Sequence, residues 1–275
     1  MTEAAADPKL VVLDHPLIHD KLARLRDHTT KPDVFRRIVH EISLLAGYEA
    51  LRDLPTVSTS VQTPLMEAPA QVLGEPAPAI VGLLRAGLAM IEALLQLVPE
   101  AMVGHIGLYR DHETLLPHEY LVKLPTEIAK REVLVVDPML ATGGSVIHAL
   151  DVLKRNGVTR LRLLSIFGVP EGVANVHAAH PDVPIFLAVL DDQLNDKGYI
   201  LPGVGDAGDR LYGTRSTDHA SQIAAAAPYI WRLWLAMTER FLPAIAAARA
   251  TASSTTCSSM ATCSTMPATS ASAPP

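Results

Sequence analysis

Cysteine is scarce in this sequence, and both cysteines, Cys257 and Cys263, lie close to the C-terminal end. The residues before them therefore cannot form a disulfide bond, bind zinc through thiolates or use a thiol as a nucleophile. An excess of basic residues is also lacking, because 23 Lys and Arg stand against 29 Asp and Glu, giving a formal net charge of -6. This balance argues against a nucleic-acid partner, which would need a dense basic surface.

Long hydrophobic runs are lacking as well. A membrane-spanning helix needs about 18 or more apolar residues in succession, and the nearest candidate, 228–247, is interrupted by Arg232, Glu239 and Arg240. The N-terminus does not show the basic and then apolar order of a secretory signal. We therefore expect a cytoplasmic protein without a membrane span.

Short apolar runs alternate with helical patterns in the middle of the chain. The runs predict strands at 79–84, 102–108, 131–136, 161–167 and 185–189, and the patterns between them predict helices at 87–97, 145–156 and 171–179. This alternation is typical of an α/β protein with a parallel sheet that is covered on both faces. Ligands of such sheets bind beyond the carboxyl ends of the strands, so the residues that follow each run are the candidates for function.

The other segments divide the chain into a main domain and a C-terminal extension. Two helices are expected first, one beginning at Asp14-His15-Pro16 and one ended by Gly47. The alternating segment 57–61 predicts a half-exposed strand, and the polar segment 109–124 predicts a projecting hairpin or arm. We expect one domain over 1–215, a helical extension over 216–250, and a disordered tail over 251–275, which is rich in Ser, Thr and Ala and has no charged residue.

The most informative segment is 137–145, Asp-Pro-Met-Leu-Ala-Thr-Gly-Gly-Ser, which joins a predicted strand to a predicted helix. Residues 142–145 can present backbone N–H groups, hydroxyls and the positive end of the helix to one phosphate. No lysine follows the glycines as it does in ATP-binding loops, so a sugar monophosphate is the better ligand. Asp137 would then lie beside ribose hydroxyls or a cationic sugar ring. The alternative is an ordinary strand-to-helix turn that a Ser or Thr caps.

Segment 135–145 resembles the phosphoribosyl pyrophosphate (PRPP) loop of uracil phosphoribosyltransferases. Segments 83–88 and 198–209 resemble that family too, as does Tyr109-Arg110 with the acidic residues after it. The likeness extends from about His15 to Thr214. It implies the type I phosphoribosyltransferase fold, with N-terminal helices, a projecting arm and a C-terminal base-binding loop region. The implied reaction transfers the phosphoribosyl group of PRPP to uracil, forming UMP and diphosphate.

The resemblance also implies roles for individual residues. The catalytic residues would be Asp137, Asp206 and Arg110. The PRPP-binding residues would be Arg85, Arg110, Asp137, Pro138, Met139, Leu140, Ala141, Thr142, Gly143, Gly144, Ser145 and Asp206. The uracil-binding residues would be Ile200, Gly205, Asp206 and Ala207. Both arginines would contact the diphosphate, although for either alone a surface ion pair is the competing interpretation.

The acidic part of the loop departs from the wider superfamily. Most type I enzymes carry two adjacent acids here, whereas Pro138 follows Asp137 in this chain. Mg²⁺ is still expected as a cofactor, held mainly by PRPP oxygens and water, and we assign no protein residue as a metal ligand. The resemblance further implies GTP as an allosteric activator and assembly into a homodimer or larger homo-oligomer, but the sequence assigns no GTP site and no interface.

Residues 203–208 also match G-x-G-x-x-G, a pattern found in dinucleotide-binding proteins. The context argues against that interpretation, because Leu201-Pro202 precedes the pattern instead of a buried strand and 209–213 continue it without a helical stripe. A glycine-dense loop can instead offer backbone groups to a flat base. Uracil and cytosine differ in their donors and acceptors, so the wrong base would leave buried polar groups unpaired.

Two alternatives to a uracil phosphoribosyltransferase remain open at this point. The first is a non-catalytic regulator of the same fold that binds PRPP or UMP. The second is the same reaction on another base, against which the match over 198–209 argues. Formation of UMP from uracil and PRPP, with competition by other bases, distinguishes the three.

Overall fold

The computed structural model describes residues 9–110 and 117–214. In this part of the chain the strands are β1 (Leu10–Val12), β2 (Thr56–Gln62), β3 (Glu67–Leu73), β4 (Ala79–Leu84), β5 (Met102–Arg110), β6 (Pro117–Lys123), β7 (Val133–Val136), β8 (Met139–Leu140), β9 (Leu161–Gly168), β10 (Ile185–Leu190), β11 (Gln193–Leu194) and β12 (Ile200–Leu201). The α-helices are α1 (Pro16–Arg26), α2 (Pro32–Ala50), α3 (Leu88–Leu97), α4 (Gly144–Arg155), α5 (Pro170–Ala179) and α6 (Ala207–Tyr212). A 3₁₀ turn spans Ile128–Lys130.

A single large sheet runs through the centre of the described chain in the order β1-β10-β9-β7-β4-β5-β6, and β8 also pairs with β9. Neighbouring strands are parallel except for β5 and β6, which form an antiparallel hairpin. The central strand β7, Val-Leu-Val-Val, is buried along its whole length, as expected for a strand between two helical layers. The predicted parallel α/β fold is confirmed.

Alternate residues of β7 separate two hydrophobic cores. Leu134 and Val136 pack in the core that includes α1, α2 and α3, whereas Val133 and Val135 pack in the core that includes α4 and α5. This division follows from the strand itself, because successive side chains of a strand point to opposite faces of the sheet. The helices therefore cover both faces and leave the strand ends as the places where a ligand can enter.

The first N-terminal helix begins where the sequence predicts it, but the second one does not end at Gly47. Helix α1 has Pro16 in its first turn, and Nδ1 of His15 accepts the N–H of Leu17 at 3.1 Å. The prediction that Gly47 ends the second helix is wrong, because α2 continues to Ala50. A Cβ on Gly47 would lie 2.1 Å from Cδ2 of Leu94. The glycine thus allows α2 and α3 to pack closely against each other.

The half-exposed strand predicted at 57–61 and the hairpin or arm predicted at 109–124 both correspond to strands of the structure, with differences in detail. Strands β2 and β3 form a separate antiparallel hairpin, and all residues of β2 are exposed rather than half-buried. The predicted arm is present at its base as the β5–β6 hairpin, while residues 111–116 lie outside the described chain. The predictions for 216–250 and 251–275 also fall outside it. Within the described ranges, no helix is long and apolar enough to cross a membrane.

Candidate active site

The order of the strands reverses between β4 and β7. The chain passes from β4 to β5 on one side and later returns to β7 on the other side of β4. Helix α3, which follows β4, packs in one core, whereas α4, which follows β7, packs in the opposite one. Such a reversal opens a crevice at the carboxyl ends of the two strands, where parallel sheets bind ligands. Arg85 follows β4 and Asp137 follows β7, so both predicted residues lie at this crevice.

Gly87 brings the loop after β4 against the end of β7. A Cβ on Gly87 would lie 2.6 Å from the carbonyl oxygens of Leu83 and Val136, so a larger residue would push the loop away. The peptide bond between Leu84 and Arg85 is cis, and Arg85 is exposed. The loop that carries the Arg85 guanidinium is thus held beside the segment that begins with Asp137.

Asp137 is half-buried, and its Oδ1 accepts a long hydrogen bond of 3.4 Å from the N–H of Met139. Burial raises the pKa of the Asp137 carboxyl from 3.8 to about 7, and the Met139 N–H offsets only part of this effect. A positive charge near a carboxyl group lowers its pKa and stabilises the ionised form. The position therefore favours a ligand that brings a positive charge to the end of β7.

The segment after Asp137 pairs with the end of β9 and then continues into α4. Pro138 accepts backbone N–H groups from Ile166 and Phe167, and β8 pairs with the end of β9. Gly143 takes the N-cap position of α4 with a φ of +83°, a conformation that favours glycine. Within the described chain no side chain caps this helix. The alternative of a Ser or Thr cap is therefore not observed, and the first-turn N–H groups match those that bind a phosphate.

We call residues 137–145 the phosphate loop. Helix α5 packs directly against this loop. Nδ2 of Asn175 donates to the backbone carbonyl oxygen of Thr142 at 3.0 Å. A Cβ on Gly172 would lie 2.1 Å from the carbonyl oxygen of Ala141, so α5 and the loop are in direct backbone contact. Sequence reasoning missed both Gly172 and Asn175. The available signal was a glycine in the first turn of a predicted helix, where it lowers helix propensity.

Residues 200–208, which we call the base loop, begin in a short antiparallel ribbon of β11 and β12. Gly203 and Gly205 have φ angles of +52° and +76°. A Cβ on Gly203 would lie 2.2 Å from the carbonyl oxygen of Ile200, whereas no described atom lies within 4 Å of the Cβ position of Gly205. The side chain of Ile200 is part of the core, so Ile200 can reach a base only through its backbone.

The second half of the base loop leads into α6. Oδ1 of Asp206 accepts the N–H of Asp209 at 2.8 Å and thereby caps α6, and Ala207 is buried at the start of the helix. The expectation that 209–213 contain no helix is wrong, since α6 covers most of them. The helix follows an antiparallel ribbon and not a parallel strand, which is still unlike a dinucleotide-binding unit.

Arg85 links the crevice to the base loop. A Cβ on Gly208 would lie 3.8 Å from Nη2 of Arg85 and 3.2 Å from Oδ1 of Asp206. The phenol of Tyr212 in α6 also donates a hydrogen bond to the backbone carbonyl oxygen of Arg85 at 3.0 Å. Three predicted segments, the Arg85 loop, the phosphate loop and the base loop, therefore lie at the same end of the sheet.

Arg110 is placed at this end by its backbone. It is the last residue of β5, where it pairs with Pro117 of β6, and β5 is the parallel neighbour of β4. Arg85 thus follows β4 and Arg110 ends the adjacent parallel strand β5, so both lie at the carboxyl ends of these strands.

The carboxylates of the site do not form a metal-binding cluster. In the ranges that the structure describes, no three His, Cys, Asp or Glu side chains lie together as metal ligands. Asp137 stands at the end of β7, and one oxygen of Asp206 is used as a helix cap. The carboxylates of Asp137 and Asp206 are the groups of the site that could interact with Mg²⁺, which prefers oxygen ligands.

Comparisons with known proteins agree with this arrangement. The model of the family described as uracil phosphoribosyltransferase matches residues 12–214. A protein of that name from Symbiobacterium thermophilum is 54% identical over 207 residues, which are 75% of this chain and 99% of that protein. One from Rhodospirillum centenum is 55% identical over 210 residues, 76% of this chain and 97% of that protein.

A solved structure shares the fold. The AQ2163 protein from Aquifex aeolicus matches with a TM-score of 0.72 and 38% identity, over 76% of this chain and 100% of that chain. The mostly parallel sheet with helices on both faces is the type I phosphoribosyltransferase fold that the sequence predicted. Since the family model covers most of the chain and the relatives match over almost their whole lengths, this chain belongs to the uracil phosphoribosyltransferase family.

Proposed function

We propose that the chain transfers the phosphoribosyl group of PRPP to uracil, forming UMP and diphosphate, as a step of pyrimidine salvage. The observation that carries this proposal is the glycine-capped start of α4, which lies at the strand-order reversal beside Arg85 and Asp137. The names of the relatives from Symbiobacterium thermophilum and Rhodospirillum centenum support the same conclusion.

The phosphate loop holds the 5-phosphate of PRPP. The backbone N–H groups at the start of α4 donate to the phosphate oxygens, and the positive end of the helix favours the negative charge. Thr142 and Ser145 add hydroxyls to the same region. Because the loop is fixed by Asn175 and by the contact between Gly172 and Ala141, its N–H groups need little rearrangement when PRPP binds.

Arg85 and Arg110 hold the diphosphate. A guanidinium matches the geometry of two phosphate oxygens and stays charged at every working pH. Asp137 and Asp206 would be the carboxylates nearest to a Mg²⁺ ion held by PRPP oxygens and water, and such an ion would neutralise charge on the diphosphate as it leaves.

Asp137 stabilises the positive charge that develops on the ribose during the reaction. Positive charge develops on the sugar ring as the bond to diphosphate lengthens, and an ionised carboxylate at the end of β7 stabilises that charge. The burial that raises the pKa of Asp137 to about 7 also strengthens its interaction with a nearby cation. The arm formed by β5 and β6 is the candidate for a lid that excludes water from the activated ribose.

The base loop selects uracil. Its main chain around Gly205 is exposed, and Gly208 of the same loop lies near Arg85, so backbone N–H and C=O groups there can pair with the edge of uracil. Cytosine reverses the donor and acceptor at two positions, so it would leave polar groups unpaired in the complex. Asp206 and Ala207 follow in the same turn and complete this side of the site.

The β2–β3 hairpin is the candidate interface with a second copy of the chain. Val57 pairs with Val72 and Val61 pairs with Ala68, so these side chains share one face of the hairpin. Val57, Val61 and Val72 are 53%, 46% and 47% exposed. A two-stranded hairpin is only marginally stable by itself, and such an apolar face is typical of a contact surface. The molar mass in solution, measured by light scattering, tests for a dimer or a larger homo-oligomer.

Formation of UMP from labelled uracil and PRPP with Mg²⁺ tests the proposed function. UMP formation that depends on PRPP supports the enzyme, whereas binding of PRPP or UMP without turnover supports the regulator of the same fold. Competition by cytosine, hypoxanthine and orotate measures the choice of base. The same assay with and without GTP tests GTP as an activator, a proposal that only the family resemblance supports.

A further inference from the structure

We infer that the ion pair between Arg26 and Asp191 is a positioning device that fixes the backbone of Gly203 and thereby sets the affinity and selectivity for uracil. The inference rests on the proposed function, because it assigns a role to the base loop in recognising the base. Neither residue follows from the motifs that define the site, and they are separated by 165 positions along the chain.

Asp191 is anchored to the rigid part of the fold. It follows β10 directly, and its N–H donates to the carbonyl oxygen of Gly168, the last residue of β9, at 2.7 Å. Asp191 is only 5% exposed. A carboxylate in such a position is costly unless charged and polar partners surround it, so its partners are tightly specified.

Arg26, the last residue of α1, provides the matching charge. Its Nη2 lies 2.5 Å from Oδ1 of Asp191 and its Nη1 lies 2.9 Å from Oδ2, which is the two-pronged geometry that guanidinium and carboxylate groups favour. The guanidinium also lies over the ring of Phe167, 5.0 Å from its centroid. Asp191, which follows β10, and Phe167 in β9 therefore fix the orientation of this arginine.

The Arg26–Asp191 ion pair forms hydrogen bonds with both the N–H and the carbonyl oxygen of Gly203. The N–H of Gly203 donates to Oδ2 of Asp191 at 3.0 Å, and the carbonyl oxygen of Gly203 accepts from Nη1 of Arg26 at 3.0 Å. Gly203 is buried and has a φ of +52°, with no room for a Cβ next to the Ile200 carbonyl. The conformation of this glycine is thus held by the ion pair and by its own close turn.

Gly203 lies between the two parts of the base loop that reach the base. Ile200 lies three residues before Gly203. Gly205 lies two residues after it and faces open space. A shift of the Gly203 peptide would therefore move the backbone groups on both sides together. Misplacement of a recognition group by about 1 Å can cost about a hundredfold in rate. The described hydrogen bonds of the Arg26 side chain and of Asp191 go to each other, to Gly168 and to Gly203, and none of them reaches the phosphate loop, so binding of the 5-phosphate of PRPP should be affected less than binding of uracil.

The test compares three variants with the wild-type protein by steady-state kinetics. Asp191→Asn keeps the volume but removes the charge. Arg26→Lys keeps the charge but loses the fork that bonds Asp191 and Gly203 together. Arg162→Lys is the matched control, because Arg162 also bonds a carboxylate, Asp53, and a backbone carbonyl, that of Ala50, but near the start of β9 and not at its end.

We expect Asp191→Asn and Arg26→Lys to raise the KM for uracil by about tenfold or more, with the KM for PRPP changed less than about twofold. Their preference for uracil over cytosine in kcat/KM should also fall. Arg162→Lys should lower the melting temperature without changing either KM. An equal rise in both KM values, or a KM for uracil no different from that of Arg162→Lys, would overturn the inference.

Arg26→Lys is the milder change and carries the test if Asp191→Asn does not fold. An inactive wild-type protein would contradict the proposed function, whereas an active wild type with unchanged variants would contradict this inference alone.

Discussion

The phenol oxygen of Tyr212 donates a hydrogen bond of 3.0 Å to the backbone carbonyl oxygen of Arg85. Tyr212 ends α6, which follows the base loop, and Arg85 follows β4. Burial raises the pKa of the Tyr212 phenol, so it stays protonated and remains a donor at neutral pH. This bond joins the part of the site that selects the base to the part that holds the diphosphate.

Replacing Tyr212 by Phe should loosen the Arg85 loop. A hydrogen bond of this kind contributes about 1 kcal/mol, which corresponds to about a fivefold change in an equilibrium constant. We expect Tyr212→Phe to raise the KM for PRPP by about that factor. Tyr48→Phe is the control, since Tyr48 is an exposed tyrosine on α2 and should leave the kinetics unchanged. Equal KM values for the two variants would contradict the role of the bond.

The contact between α5 and the phosphate loop predicts a strong effect of Gly172→Ala. The added Cβ would lie 2.1 Å from the carbonyl oxygen of Ala141, so either the helix or the loop must move. We expect a loss of about 1–3 kcal/mol in stability together with a rise in the KM for PRPP. Ala174→Gly is the control, because Ala174 is exposed on the same helix and its replacement should cost about 1 kcal/mol without affecting KM. Urea denaturation and initial rates measure both quantities.

The sequence predicted those parts of the site that depend on neighbours along the chain. The run Val133–Val136, the glycines after it and the helix from Gly144 all follow from local pattern, and so does the position of Arg85 after a buried strand. The family resemblance added the roles of these residues. The sequence left open whether 137–145 bind a phosphate or form an ordinary strand-to-helix turn capped by Ser or Thr, and no such cap is observed at α4.

Contacts between distant segments could not be predicted in the same way. Asn175 meets Thr142 across 33 positions and Arg26 meets Asp191 across 165, so no local pattern marks either pair. Gly47 shows the same limit, because a glycine near the end of a helical stripe looks like a stop signal until the neighbouring helix is placed against it. Asp191 did stand directly after a strand, and the rule that singled out Asp137 would have applied to it.

Asp137 should give the activity a dependence on pH near neutrality. Its pKa of about 7 in the free protein means that the carboxyl becomes protonated below that pH and loses the charge that stabilises the ribose. We expect kcat/KM for PRPP to fall as the pH decreases below about 7. Asp137→Asn should lower kcat by about a hundredfold or more. It should also abolish the decrease of kcat/KM for PRPP below about pH 7. Near-wild-type kinetics for the variant would contradict the role of the carboxylate.

The same carboxyl should make the free protein less stable as the pH rises. Between pH 3.8 and about 7 the unfolded chain releases the Asp137 proton while the folded chain keeps it, so the free energy of unfolding falls with pH over this range. Asp137→Asn lacks this effect. Relative to wild type, we expect the variant to gain about 3 kcal/mol between pH 5 and pH 8. Urea denaturation without PRPP measures the difference, and a pH-independent difference would show that Asp137 titrates normally.

Removing residues 216–275 should leave the reaction intact. The family model ends at residue 214, and the relative from Symbiobacterium thermophilum is matched over 99% of its length by 75% of this chain. The bonds that fix the base loop also lie before that point, including those of Arg210 to the carbonyl oxygens of Leu25 and Asp27. We expect a chain that ends at Arg215 to keep kcat and both KM values within about twofold, because the matched relative has almost no sequence beyond the part that this truncated chain keeps. A large loss of UMP formation, with the melting temperature unchanged, would instead assign the C-terminal segment a direct part in catalysis.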